Sequence, residues 1–215
     1  MNRPTLSRSV IHASALFLGL LALPTSHAGE GGLYGPTAPK GSAFVRLYNA
    51  SNQEASATVG SAKVNDIAPL GSSDFSFLAK GDYTAQIGSQ SLPVSLGANQ
   101  YYTLVNLPGG APRLVEEPLF KNKQKALIRV QNLSDKTLTL KTADGKTDVV
   151  KAVAAAGRGE REINPVKVSL ALFEGDTKIS DLKPVVLPRG EIVSLFITGS
   201  AGSLSPVWVK RPGAQ

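Results

Sequence analysis

The chain has 215 residues, with 23 Lys and Arg against 16 Asp and Glu, and it contains no cysteine. The missing cysteine excludes a disulfide framework, so each domain must be stabilised by its own core. The excess of base is mild, and nucleic acid is a poor match because no recognised binding motif accompanies it.

Met1 to Ala28 carries Arg3 and Arg8, then an apolar run from Val10 to Leu23, then Ser26-His27-Ala28 with small residues at its first and third places. This pattern predicts a secretory signal cleaved after Ala28. The apolar run is shorter than the roughly 20 residues a spanning helix needs, which disfavours an uncleaved anchor. Cleavage removes His12, His27 and Met1, together with two positive charges from the formal +7. A mature chain without His, Cys or Met has no base for a Ser-His-Asp site and none of the usual zinc, copper or haem ligands. No metal and no cofactor are expected.

Residues 29–41, GEGGLYGPTAPKG, are rich in Gly and Pro and read as an extended leader. A first domain follows over residues 42–117, with strands expected at 44–50, 55–59, 75–78, 83–87, 92–96, 101–105 and 113–115. Gly71, Gly81, Gly88, Gly97, Gly109 and Gly110 punctuate them. Residues 118–125 form a charged linker in which Leu119 and Phe120 could dock between domains. The second domain, residues 126–212, is expected to have strands at 137–142, 147–150, 166–173, 185–187, 192–198 and 207–210. Asp144-Gly145 suggests a type I′ hairpin, and 153–159 suggests a helical turn or small-residue loop. Short strands with regular turn signals predict an all-β chain of two tandem antiparallel sandwiches, Ig-like or jelly-roll-like.

FVRLYNAS, starting at Phe44, returns as LIRVQNLS, starting at Leu127, with Arg46, Asn49 and Ser51 matched by Arg129, Asn132 and Ser134. The separation is about the length of one small β-sandwich domain, which points to an internal duplication. By period-two alternation the flanking apolar residues face a core and both arginines face outward, with Asn and Ser forming the turn that ends each strand.

Candidate chemistry is sparse. Gly71-Ser72-Ser73-Asp74 reads as a turn, and calcium ligation around Asp144 and Asp148 fails the EF-hand spacing. The pairs Glu116 with Glu117 and Glu160 with Glu162 have no aromatic platform and read as solvated faces rather than a glycosidase site. Binding signals are stronger. Lys121, Lys123 and Lys125 alternate, so an extended linker could present all three to a polyanion. Lys210 and Arg211 end the last strand beside Trp208, which by alternation faces away from the core that Val207 and Val209 would fill. Tyr101 and Tyr102 are adjacent, so one faces inward and the other outward or toward the second domain. Trp208, Lys210, Arg211, Lys121, Lys123, Lys125, Tyr101 and Tyr102 are thus the candidates for partner or polymer binding.

The phrases LYGPTAPKGSAFVRLYNAS, PLGSSDF, FKNKQKALIRVQNLSDKTLTLKTADGKTDVV, GEREINPVKV and SPVWVKRP together resemble the AlgF family, and the resemblance covers essentially the whole mature chain. It implies a periplasmic, non-catalytic accessory protein of alginate O-acetylation, working beside a membrane acetyl donor channel and periplasmic acetyltransferases. No catalytic residue is carried over. An adaptor between acetylation proteins is the leading expectation, and a carbohydrate-binding module presenting anionic polysaccharide is the alternative.

Overall fold

The computed structural model describes residues 37–200 and 202–211, so the signal segment and most of the leader lie outside the described residues. The described chain consists of strands and turns without a helix. Its first half contains β1 (Ala43–Asn49), β2 (Ala55–Val59), β3 (Ala62–Ile67), β4 (Ser76–Leu78), β5 (Gly81–Ile87), β6 (Gln90–Leu96), β7 (Tyr101–Asn106) and β8 (Arg113–Glu116). The second half contains β9 (Ala126–Asn132), β10 (Leu138–Thr142), β11 (Asp148–Val153), β12 (Arg158–Ile163), β13 (Val166–Val168), β14 (Leu170–Glu174), β15 (Thr177–Asp181), β16 (Val185–Leu187), β17 (Ile192–Ser200) and β18 (Ser203–Arg211).

The two halves repeat one another strand for strand. Sheets ordered β4-β1-β7-β8 and β3-β2-β5-β6 are matched by β12-β9-β17-β18 and β11-β10-β14-β15, and the ribbon β13-β16 is added in the second half. FVRLYNAS supplies β1 and LIRVQNLS supplies β9, which occupy equivalent places. Arg46 lies opposite Thr103, and Arg129 lies opposite Ser194. Both pairings, β1 with β7 and β9 with β17, are parallel, a departure from the fully antiparallel sheets expected. A whole second sheet separates these partners in sequence, so no hairpin fixes their relative direction.

Period-two alternation builds two cores. Val45, Leu47, Ala57, Val59, Ala85, Ile87 and Leu104 fill the first, and Ile128, Val130, Leu140, Leu172, Val193, Leu195 and Ile197 fill the second. The Asn-x-Ser phrase is more than a surface turn. Asn49 is buried, donating to the carbonyls of Gln53 (2.7 Å) and Ile67 (2.8 Å) while its Oδ1 accepts from the Ser51 N–H and hydroxyl. Asn132 repeats this with the carbonyls of Lys136 (2.6 Å), Val153 and Ala154 (3.0 Å each), and with Ser134. Each asparagine therefore pegs the end of its central strand to loops of its own sandwich, satisfying carbonyls that burial would otherwise strand.

β3, β12 and β15 are strands that sequence reading does not single out, and each lies at the edge of its sheet. Edge strands are half-solvated, so their polar sequences AKVNDI, RGEREI and TKISD lack the apolar run that marks a central strand. The strand expected over 166–173 breaks at Ser169, because β13 pairs with β16 while β14 pairs with β10. The Asp144-Gly145 hairpin is present with a longer turn. Gly145, at φ 73°, donates to the Thr142 carbonyl, and Thr142 and Thr147 close the loop.

Candidate functional site

Arg46 and Arg129 do not face solvent. Phe44, Arg46, Tyr48 and Ala50 project from β1 on the side opposite the first core, and Leu127, Arg129, Gln131 and Leu133 do the same near β9. The residues at the Tyr48 end meet the second half of the chain. Tyr48, Ala50 and Val105 pack against Phe196 and Val209, with the Tyr48 and Phe196 rings 5.1 Å apart. The sheet faces predicted to be solvated thus form a third apolar cluster, the seam between the sandwiches.

Glu117, fully buried, lies between the two repeat arginines. Its Oε1 accepts from Arg46 Nη2 at 2.7 Å and from the Thr103 hydroxyl, and its Oε2 lies 3.8 Å from Arg129 Nη1. Arg46 Nε donates to Thr103 Oγ1 at 3.0 Å, and the guanidinium sits 4.7 Å over the Phe75 ring. Arg129 continues the chain of contacts to Glu160 Oε1 (2.7 Å) and to the Pro118 carbonyl (2.8 Å). Gln131 and Arg158 both donate to the Glu116 carbonyl, at 3.4 and 3.2 Å. Glu117 and Pro118, at the start of the linker, therefore form a buried ionic strap. Phe120 anchors it further by packing against Leu127 and Ile192.

The candidate carboxylates separate accordingly. Glu116 is exposed and Glu117 buried, Glu160 belongs to Arg129 and Arg158, and Glu162 accepts from Asn122. Asp144 accepts from the Thr142 hydroxyl and the Lys146 N–H, which hold its carboxyl below the ordinary aspartate range. Asp148 pairs with Lys141 and Lys151. Among the described residues no three of His, Cys, Asp or Glu converge as a metal site.

The candidate binding residues fall in separate places. Tyr102 is buried in the first core, where its hydroxyl accepts from the Gly97 N–H, so it is removed from any contact surface. Tyr101 is half-buried, stacked on Phe44 at 4.4 Å and edge-on to Phe75. Trp208 reverses the expectation. It packs against the second core with its indole N–H donating to the Lys183 carbonyl at 3.1 Å, while Val207 and Val209 face the seam. The valines look inviting for a core, but β18 has an apolar environment on both faces, so alternation alone cannot say which is inner. The side chains of Lys210 and Arg211 lie outside the described residues.

The linker lysines do not form one row. A turn at Lys123 and Gln124 breaks the alternation, leaving Lys121 and Lys123 exposed, while Lys125 donates to Asn164 Oδ1 at 2.6 Å. Sequence reading missed Arg189. Its loop is joined to the linker where the Gly190 N–H donates to the Lys125 carbonyl at 2.7 Å and the Arg189 guanidinium donates to Gln124 Oε1. Lys121, Lys123 and Arg189 are thereby gathered at two adjoining loops. Only long-range pairing reveals this, because Arg189 is far from the linker in sequence.

Two of the clefts on the described surface share Leu70. One of about 920 Å³ lies at the end of the first sandwich among Asn52, Gln53, Gln90, Asn106, Leu107 and Leu70. The other, of about 540 Å³, lies among Leu70, Leu182, Lys183, Pro206, Val207 and Trp208.

Comparison with known proteins gives a consistent answer. A family model described as "Alginate O-acetyl transferase AlgF" matches residues 15–194. The alginate biosynthesis protein AlgF of Pseudomonas fluorescens is 65% identical over 213 residues, covering 99% of this chain and 98% of the relative. A solved structure of the C-terminal domain of AlgF from P. aeruginosa is 72% identical, covering 41% of this chain and all of that one, with a TM-score of 0.39. A solved N-terminal domain of the same protein is 66% identical, covering 38% of this chain and all of that one, with a TM-score of 0.35.

Proposed function

The chain belongs to the AlgF family of alginate biosynthesis proteins, and from that premise we propose that it serves alginate O-acetylation in the periplasm as a non-catalytic adaptor holding acetylation proteins together. One observation carries the reading. The buried charged residues among those described are Arg46, Glu117 and Arg129, and all three tie the two sandwiches and the linker together rather than facing a cleft. An acyl-transfer site needs a nucleophile with a base beside it and donors aimed at the developing oxyanion. The described residues contain neither His nor Cys, and their buried carboxylate is neutralised by arginine. What supports a binding role is a strapped pair of sandwiches carrying a basic loop pair and open clefts.

The test is binding of the purified mature chain to a purified periplasmic acetyltransferase of the pathway and, in parallel, to polymannuronate. The adaptor reading expects protein binding. Changing Lys121 and Lys123 to Gln should slow association by several-fold and flatten its salt dependence, because exposed cations steer encounter more than they hold a complex. Salt-sensitive polymer binding without protein binding would transfer the role to the carbohydrate-binding alternative.

A further inference from the structure

The non-glycine residues at positive φ among those described are Asp66, Leu70, Asn99, Ala152 and Ala156. Asp and Asn tolerate the left-handed region and alanine is small, but leucine at φ 60° is strained, since its side chain crowds the backbone there. Such strain is ordinarily offset by burial, yet Leu70 is 46% exposed. Its backbone is firmly held, with the N–H donating to the Asn49 carbonyl at 2.8 Å and the neighbouring Gly71 donating to Ala68. The loop therefore fixes an unfavourable conformation and uses it to hold an aliphatic side chain in solvent. An observed backbone outlier of this kind points to a role outside the fold.

Leu70 stands on the wall shared by the two clefts, and across the smaller one lies Trp208 of the other sandwich. The Trp208 N–H is already committed to Lys183, so the cleft presents the indole as a fixed apolar wall with Leu182, Pro206 and Val207 beside it. Val207 also belongs to the seam, making the cleft a continuation of the interface between the sandwiches. At the rim, Asp181 is engaged by Lys178 at 2.9 Å, whereas Lys183 is exposed and makes no ion pair with a described carboxylate.

We propose that the cleft between Leu70 and Trp208 is the docking point for a partner polypeptide of the acetylation apparatus, which inserts an aliphatic or aromatic side chain there and sets an acidic residue against Lys183. This rests on the adaptor reading and adds the place and the chemistry. Leu70, Leu182, Pro206 and Val207 line the cleft beside the indole and favour an apolar side chain over a glycan, whose hydroxyls only Ser180, Asp181, Lys183 and Ser205 could meet. Both sandwiches contribute a wall, so the cleft exists only while the strap holds them in register.

Leu70→Asn tests the inference without threatening the fold, because asparagine relaxes in the left-handed region and removes the aliphatic surface. The mature variant should melt at or above the wild-type temperature and bind the purified periplasmic acetyltransferase at least tenfold more weakly. Lys183→Glu should weaken the same complex, more at low salt than at high salt. Wild-type binding that Leu70→Asn leaves unchanged overturns the cleft while the adaptor reading stands. Failure of the wild type to bind any acetylation protein overturns both. A lowered melting temperature for Leu70→Asn makes the leucine structural and overturns the proposal. So does a variant that dissociates a dimer of this chain without changing partner affinity, because the occupant would then be a second copy.

Discussion

Glu117→Gln is expected to destabilise the mature protein by about 3–5 kcal/mol, because it leaves buried arginines without their common carboxylate. Glutamine keeps the size but removes the charge and turns one acceptor oxygen into an N–H donor that meets donors already in place. Arg46 is 3% exposed and Arg129 fully buried, so water cannot replace what is lost. Glu160→Gln removes a 2.7 Å contact to Arg129, shorter than the 3.8 Å between Glu117 and that arginine, but the Glu160 carboxylate is 35% exposed. Screening and hydration should hold its effect to about 1 kcal/mol or less. Urea unfolding of both variants checks the contrast. Equal, small effects would mean that the strap is ornamental and that apolar contacts alone join the sandwiches.

The sequence made the architecture legible and mislocated the surface. Central strands carried apolar residues at period two and were readable, and the repeated phrase disclosed the duplication. Edge strands such as β12 were not readable, because half-solvated backbone pairing leaves no apolar signature. Arg46 and Arg129 stand out in the sequence as distinctive positions, and alternation assigns them to solvent. Alternation establishes that two faces differ, yet it cannot tell water from a second domain. The clue lay in Tyr48, which shares the Arg46 face and would be an odd choice for a solvated strand beside Ala50. Glu117 reads from the sequence only as the neighbour of Glu116 on a solvated face, since an acid beside a charged linker looks solvated until the fold brings two arginines to it. The same limitation concealed Arg189, and it turned Trp208 the wrong way.

Phe196→Ala is expected to cost about 3–5 kcal/mol and to change how the protein unfolds, because this ring belongs to neither sandwich core. Val193, Leu195 and Ile197 of the same strand face the second core, and Phe196 alone reaches across to Tyr48. Removing it opens a void in the seam, where Val207 and Val209 remain, while leaving both cores intact. Calorimetry should therefore turn one cooperative transition into two, with the separated sandwiches melting independently. The opposite sign is expected at Tyr48. Its hydroxyl is buried without a hydrogen-bond partner among the described residues, and burial pushes its pKa up to about 12. Tyr48→Phe keeps the ring contact and removes the stranded hydroxyl, so it should stabilise by about 1–3 kcal/mol. The raised pKa adds a check in the alkaline range. Because the folded-state value lies above the unfolded 10.0, ionisation of this group in the unfolded chain draws stability away as pH climbs from about 10 toward 12 and draws none below that range. The Phe variant should lose less stability than wild type over that interval. A single transition for Phe196→Ala, shifted by less than about 1 kcal/mol, would show that the sandwiches are joined by the Glu117 strap alone.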